Sequence, residues 1–235
     1  MINILIPMAG EGSRFKNTHS LPKPLISIND KPMIARAIES LGITGKYHFV
    51  VRNNEFMQQT IGAIYSICPD PNIVSVNYTP NGAAASALIM KDYIDKNDEL
   101  IIANCDQIMN WNAYDVISEM RTYDGAVVTI TDNDPKHSYV KTEDGFAIQF
   151  AEKEVISKNA LTGIHYWKHS KYFFESAKHM IADNKKSANG EYYIAPTYNY
   201  LIKEGMDIGI CRIKNSEFNP VGTPEDLEKY LYDNR

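Results

Sequence analysis

The chain has 235 residues, enough for one α/β domain or two small ones with a proper buried core. With 44% apolar and 23% charged residues it reads as an ordinary soluble globular protein. A formal charge of −5 argues against nucleic acid or an anionic membrane surface as partner, because both select a basic face.

The elements follow in chain order. Residues 2–6 are a short continuous apolar run, as expected of a strand buried on both faces. Pro32 suits the first turn of a helix to about residue 41, with Ile34, Ala37, Ile38 and Leu41 on one face. A strand at 48–51, a helix at about 55–67 and a strand at 73–78 come next. The turn Thr79-Pro80-Asn81-Gly82 then leads into a helix carrying Ala87, Leu88, Tyr93 and Ile94. A strand at 100–103 delivers Asn104-Cys105-Asp106-Gln107. Strands alternating with helices at this spacing predict right-handed βαβ units, hence an α/β fold with a mixed, mostly parallel, Rossmann-like sheet flanked by helices.

The second half changes character. Residues 125–131 are strand-like, 138–141 and 146–151 read as a hairpin, and 160–167 as another strand. Helices at about 170–181 and 195–203 precede a strand at 208–213, and Thr223-Pro224-Glu225-Asp226 is a well-formed helix start. There is no internal repeat and no low-complexity segment. The reading is one domain whose character changes between a first half at about 1–135 and a second half at about 136–235.

Cys68, Cys105 and Cys211 are widely spaced and form neither a disulfide framework nor a zinc pattern, which points to a reducing cytoplasm. The apolar start lacks a basic leader, and no stretch approaches the length of a membrane span. His165 and His169 straddle a strand end and a helix start and do not read as a metal pair.

The chemistry concentrates after the first strand, in Met8-Ala9-Gly10-Glu11-Gly12-Ser13-Arg14-Phe15 and Pro22-Lys23-Pro24-Leu25. Gly10 and Gly12 allow a tight turn whose amides point at an anion, and Arg14 and Lys23 add full positive charges: a nucleotide phosphate site. A Walker-type loop is excluded by glycine spacing and by the missing Gly-Lys-Ser/Thr ending. A dinucleotide fingerprint fails at its third small position, which is Phe15, and no acidic residue ends the second strand. An ordinary strand-to-helix turn remains the plain alternative. Ligands of parallel sheets sit at the carboxyl ends of the strands, and the glycine loop, the Asn81-Gly82 turn and Asp106 all fall there. A carboxylate directly after a buried strand calls for a cation; beside a triphosphate, Asp106 suits Mg²⁺, unless it caps the following helix, which Asn110 or Asn112 could do instead.

These segments closely resemble the signature of sugar-phosphate nucleotidyltransferases, also called nucleotide-sugar pyrophosphorylases. The resemblance implies that residues 8–13 and Arg14 hold the triphosphate, that Lys23 reaches the α-phosphate or the acceptor phosphate, and that Asp106 binds Mg²⁺. It implies that Asn81, Gly82 and Ala83 contact the base, though the small residues there equally suit close helix-to-sheet packing. Ala151-Glu152-Lys153-Glu154, Thr162-Gly163-Ile164-His165-Tyr166 and Asn189-Gly190-Glu191-Tyr192-Tyr193 resemble acceptor-side motifs. There Lys153 would neutralise the acceptor phosphate, Glu191 would bond hydroxyl or amine groups, Gly163 would admit the acceptor to the backbone, and Tyr192 would line its site. Lys153 also fits a solvated face.

The likeness is greatest to a subgroup associated with capsule and surface polysaccharide, which implies transfer from CTP or UTP to a sugar phosphate, or to phosphocholine or phosphoglutamine. Pro220 stands where many members carry a second metal-binding aspartate. That departure keeps open a rival, a nucleotide-sensing module without turnover. A dehydrogenase ranks third. Oligomeric state is left open, a homo-oligomer included.

Overall fold

The computed structural model describes residues 1–234. The expected alternation is present: strand β1 (Ile2–Pro7), short strands β2 (Ser27–Ile28) and β3 (Lys31–Pro32), helix α1 (Met33–Leu41), β4 (Lys46–Arg52), α2 (Met57–Tyr65), β5 (Asn72–Val76), α3 (Ala83–Leu88) and β6 (Glu99–Ala103). There follow β7 (Gln107–Met109), α4 (Ala113–Met120), β8 (Gly125–Thr131), β9 (Ser138–Glu143), β10 (Phe146–Glu152), β11 (Asn159–Trp167), α5 (Ser170–Ala182), α6 (Tyr198–Lys203), β12 (Ile208–Arg212), β13 (Phe218–Pro220) and α7 (Pro224–Asp233).

The central sheet runs β10-β9-β11-β6-β1-β4-β5, with β8 paired to β11 and β12 paired to β8. The strands β6, β1, β4 and β5 of the first half of the chain all run parallel. β11 enters antiparallel to both β6 and β8, which makes the sheet mixed. Alternate residues of each strand go to opposite faces, as a period of two requires. Ile4, Ile6, Phe49, Val51, Ile101 and Ala103 meet α1, α2 and α4, whereas Leu5, Val50, Leu100 and Ile102 meet α3, α5 and α6. Both faces are thereby covered, and the strands read as near-continuous apolar runs for that reason.

Polar residues set several boundaries. Gly42 ends α1 in the left-handed region at φ 62°. Asn112 caps α4, and the Thr223 hydroxyl accepts from the Asp226 amide at 3.1 Å to cap α7. Pro196 falls inside the helix expected at 195–203; the α-helix starts only at Tyr198, after a 3-10 turn over Ala195–Thr197. Cys68, Cys105 and Cys211 are buried and free. No helix among the described residues is long and apolar enough to cross a membrane.

A third, small apolar cluster joins Phe15, Ile26, Ile28 and Met33 to Ile108, Val221 and Leu227. It ties the segment after the glycine loop to the last helix. Phe15 is 1% exposed. Its burial, worth about 1.5–3 kcal/mol, pins the 3-10 turn Ser13–Phe15 from below.

Candidate active site

Because β1, β4, β5 and β6 are parallel, their carboxyl ends deliver the loops after Pro7, Arg52, Val76 and Ala103 to one edge. β11 runs the other way, so it is the beginning of β11, not its end, that reaches this edge: Ile164 pairs with Ala103, and Thr162 and Gly163 lie just before it. The two halves of the chain therefore face each other across a single cleft.

Three adjoining cavities form that cleft. One of about 450 Å³ is lined by Gly10, Glu11, Gly12, Ser13, Arg14 and Lys23 on one side and by Thr79, Gly82, Ala83, Ser86, Asp106 and Glu191 on the other. A second, of about 320 Å³, continues beneath the glycine loop past Met8, Lys16, Lys23 and Arg52. The third, of about 570 Å³, shares Arg14, Asp106 and Gly222 with the first and extends over Lys136, Glu152, Lys153, Gly163, His165 and Tyr193.

Gly12 takes a left-handed φ of 60°, and the Phe15 amide donates to its carbonyl at 3.1 Å. A Cβ on Gly12 would sit 3.1 Å from the Lys23 Cβ, so the glycine lets the two halves of the signature touch. Lys23 Nζ donates to Asp106 Oδ2 at 2.7 Å, with the two side chains 21% and 19% exposed. Burial opposes the Lys23 charge, but the Asp106 carboxylate outweighs it and holds the ammonium above its ordinary range. Burial likewise opposes ionisation of Asp106, and Lys23 with Arg14 nonetheless holds its carboxyl low. Gly222 packs its Cα against the Asp106 carboxylate, where a side chain would collide. Asp106 caps no helix; Asn112 does.

The turn after β5 is locked to the second half. The Tyr192 amide donates to the Asn81 carbonyl at 2.8 Å, and the Ala84 amide to the Tyr192 carbonyl at 3.0 Å. Gly82, at φ 97°, would place a Cβ 2.5 Å from the Tyr192 carbonyl oxygen and 2.7 Å from its nitrogen. Ala9 is fully buried, and Asn81 enters through its backbone while its side chain is exposed.

On the far wall Lys153, held at φ 54°, donates to the Tyr193 hydroxyl at 3.0 Å. Asn189 donates to the same hydroxyl at 2.8 Å and to Glu191 Oε2 at 3.0 Å. Ser138 donates to the Glu152 carboxylate, whose pKa burial raises. Lys136 pairs with Asp226 at 3.3 Å.

Most of the expected residues thus line one cleft; Ala9, Asn81 and Tyr192 do not. The Tyr192 ring is 6% exposed in the core and its hydroxyl bonds Asn184 at 3.1 Å, while the next residue, Tyr193, faces the cavity. Adjacent residues of an extended segment point opposite ways, and pairing to Asn81 fixes which one turns outward. Arg52, Ser86 and Gln107 also line the cleft without having been singled out in the sequence. Arg52, ending a buried strand at the ligand edge, carried the signal that could have found it. His165 is buried on β11, and His169 bonds the Asn97 carbonyl at 2.8 Å, so the two do not form a metal pair.

A basic stripe of Arg14, Lys16, Lys23 and Arg52 beside amide-rich turns can hold a polyanion, and the opposite wall can hold a smaller anion with a polar body.

The sequence model of the nucleotidyl transferase family matches residues 4–234. The chain is 28% identical over 239 residues to the bifunctional protein GlmU of Methanocaldococcus jannaschii, covering 99% of this chain and 55% of that protein. It is 30% identical over 131 residues to the mannose-1-phosphate guanyltransferase of Pichia angusta, covering 54% of this chain and 36% of that protein. The chain thus spans about half the length, or less, of these curated relatives. The crystal structure of a nucleoside-diphosphate-sugar pyrophosphorylase from Vibrio cholerae superposes with a TM-score of 0.86 at 25% identity, covering 97% of this chain and 99% of that one. The inositol-1-phosphate CTP transferase of T. maritima shares the fold, with a TM-score of 0.77 at 14% identity and coverage of 99% and 93%. With the family's pattern matched over nearly its whole length, the chain belongs to the nucleotidyl transferase family.

Proposed function

We propose that this protein is a nucleotidyltransferase that moves a nucleoside monophosphate from a nucleoside triphosphate to a phosphorylated small molecule and releases pyrophosphate. The observation that carries the reading is the single cleft in which the glycine loop with Arg14 and Lys23 faces Lys153 across Asp106. An acceptor phosphate oxygen attacks the α-phosphorus in line; the new P–O bond forms as the bond to the bridging oxygen of the β-phosphate breaks. The acceptor is already an anion, so the work is alignment and charge neutralisation, without a general base.

In this reading the first half binds the nucleotide and the second the acceptor. The backbone of residues 8–13 cradles the triphosphate, and Arg14 steadies the leaving pyrophosphate. Lys23 neutralises the α-phosphate, exchanging part of its bond with Asp106 for the phosphoryl oxygens. Asn81, Gly82 and Ala83 hold the base. Lys153 orients the acceptor phosphate, and Glu191 and Gly163 position the acceptor body.

The residues fit one Mg²⁺ that enters with the triphosphate. Asp106 supplies one hard carboxylate at the cleft, whereas Pro220 offers no donor, Asn219 donates to the Ile108 carbonyl at 3.2 Å, and Glu217 accepts from the Lys214 amide at 2.7 Å. No cluster of three or more metal-ligating side chains occurs among the described residues. Mg²⁺ commonly takes one or two carboxylates with substrate phosphates and water, so Asp106 would hold it. Bound there, it supplies charge neutralisation at the phosphate oxygens.

We further infer a pyrimidine triphosphate, CTP or UTP, and a product that serves capsule or surface polysaccharide in the cytoplasm. The likeness of the Asn104-Cys105-Asp106-Gln107, Ser138-Tyr139-Val140-Lys141 and Gly190-Glu191-Tyr192-Tyr193 segments to that subgroup supports this, and buried free cysteines suit a reducing compartment. Labelled triphosphate tests the reaction: label on the α-phosphorus must end on the acceptor and label on the γ-phosphorus in pyrophosphate. Release of the γ-label as inorganic phosphate would contradict it.

A further inference from the structure

The 570 Å³ cavity has a charged rim and an uncharged floor. Gln107 opens β7 opposite Pro220 and is 2% exposed, yet both its amide oxygen and its amide nitrogen lack a hydrogen-bond partner in the protein. His165, 5% exposed, likewise leaves Nδ1 unpartnered. Both side chains line this cavity. An amide buried with neither atom satisfied destabilises a fold, and the cavity is the side from which a partner can come.

Local backbone opens that approach. The pairing of β11 with β8 shifts register between Leu161 and His165. Within the shift, Gly163 sits at φ 85°, where a Cβ would lie 3.1 Å from Gln107 Oε1 and would also strike the Asn104 amide. The imidazole of His165 stacks on Trp167 and Tyr198, with ring centroids 5.9 and 5.8 Å away, and burial lowers its pKa to about 3. It is therefore neutral. The acidic groups of the wall are engaged elsewhere: Asp106 by Lys23, Asp226 by Lys136, and Glu152 by the Ser138 hydroxyl.

We propose that Gln107, assisted by His165, is a specificity-determining residue that hydrogen-bonds an uncharged hydroxyl or carboxamide on the body of the acceptor. The free amide offers a donor and an acceptor side by side, which such a group can match and a quaternary ammonium or a second phosphate cannot. The proposal rests on the reading that this cavity receives the phosphorylated acceptor.

The test compares wild type with Gln107→Leu and Gln107→Glu on hexose 1-phosphates, inositol phosphate, phosphoglutamine and phosphocholine, by pyrophosphate release and by calorimetric binding against inorganic phosphate. Wild type is expected to favour the hydroxyl- or amide-bearing acceptors. Gln107→Leu should lower kcat/KM for the best of them by about 10- to 100-fold, leave the triphosphate KM unchanged, and melt at or above the wild-type temperature, because it removes an unsatisfied buried amide. Gln107→Glu should move the ranking toward phosphocholine. An unchanged acceptor ranking in Gln107→Glu, or a Gln107→Leu protein that loses stability but keeps its ranking, would overturn the proposal. If wild type releases no pyrophosphate with any pair, the binding arm still decides. Tighter binding of a hydroxyl- or amide-bearing phosphate than of inorganic phosphate, lost in Gln107→Leu, supports the role of Gln107 while the transfer reading fails. Equal binding overturns it.

Discussion

Lys23 and Asp106 are 83 residues apart in the chain and form a 2.7 Å ion pair at the centre of the cleft. Each holds the other charged against the cost of burial. In the proposed reaction each would exchange part of that bond, Lys23 for the α-phosphate oxygens and Asp106 for the metal.

Replacing Lys23 by Ala should therefore reduce turnover by about 10²–10³-fold, the range for loss of one charge-stabilising donor. Steady-state kinetics on a variant shown to be folded by circular dichroism checks this. Wild-type turnover would remove Lys23 from the phosphate site.

The two halves of the cleft should separate kinetically. Lys153→Met removes the cation on the acceptor side, and the acceptor KM should rise by about 10-fold or more, while the triphosphate KM stays within about 2-fold. A change confined to the triphosphate KM would mean that Lys153 serves the nucleotide.

Two glycines make a paired prediction. A Cβ on Gly10 meets nothing within 4 Å, whereas one on Gly82 meets the Tyr192 backbone at a φ reserved for glycine. Gly82→Ala should cost about 2 kcal/mol or more and lower Tm by roughly 4–8 °C. Gly10→Ala should leave Tm nearly unchanged and weaken triphosphate binding, because its methyl enters the cavity. Differential scanning calorimetry and nucleotide titration separate the two.

Acid sensitivity follows from buried imidazoles. Burial lowers His165 to about 3 and His48 to about 4, so the folded protein binds fewer protons than the unfolded chain below the ordinary histidine range. Their contribution is fully present above about pH 6.5 and declines as pH falls toward 4 and 3. Asp106, lowered in the fold, adds stability that persists above its unfolded value near 3.9 and is lost only as pH falls through the lower folded value. Lys23, raised in the fold, adds stability that is lost only as pH rises past its ordinary range. Tm should thus decline from pH 6.5 to 4, and His48→Leu should flatten the slope. An equal slope in that variant would reassign the acid loss.

The alternation of buried strands and amphipathic helices was legible because both faces of the sheet are covered, leaving apolar runs with clear helical stripes between them. The glycine loop, Lys23 and Asp106 were legible for the same reason: parallel strands send their following loops to one edge. The pairs β2–β3 and β7–β13 were not, since strands of two or three residues carry no periodicity. β7–β13 matters, for it sets Gln107 against Pro220 and brings Gly222 onto Asp106. Helix α2 starts later than expected because the Phe56 amide donates to the Asn54 side chain at 3.0 Å. The exchange of Tyr192 for Tyr193 at the cavity depends on a backbone pairing with Asn81, a distant partner that no local pattern announces.

The measurement that tests the central claim most directly is pyrophosphate release across a grid of the four nucleoside triphosphates against phosphorylated sugars, phosphocholine and phosphoglutamine, with and without Mg²⁺. A strong signal that needs a triphosphate, an acceptor and Mg²⁺ together is the predicted result. Triphosphate binding with no release in any cell of the grid would contradict nucleotidyl transfer to these acceptors and favour a binding module.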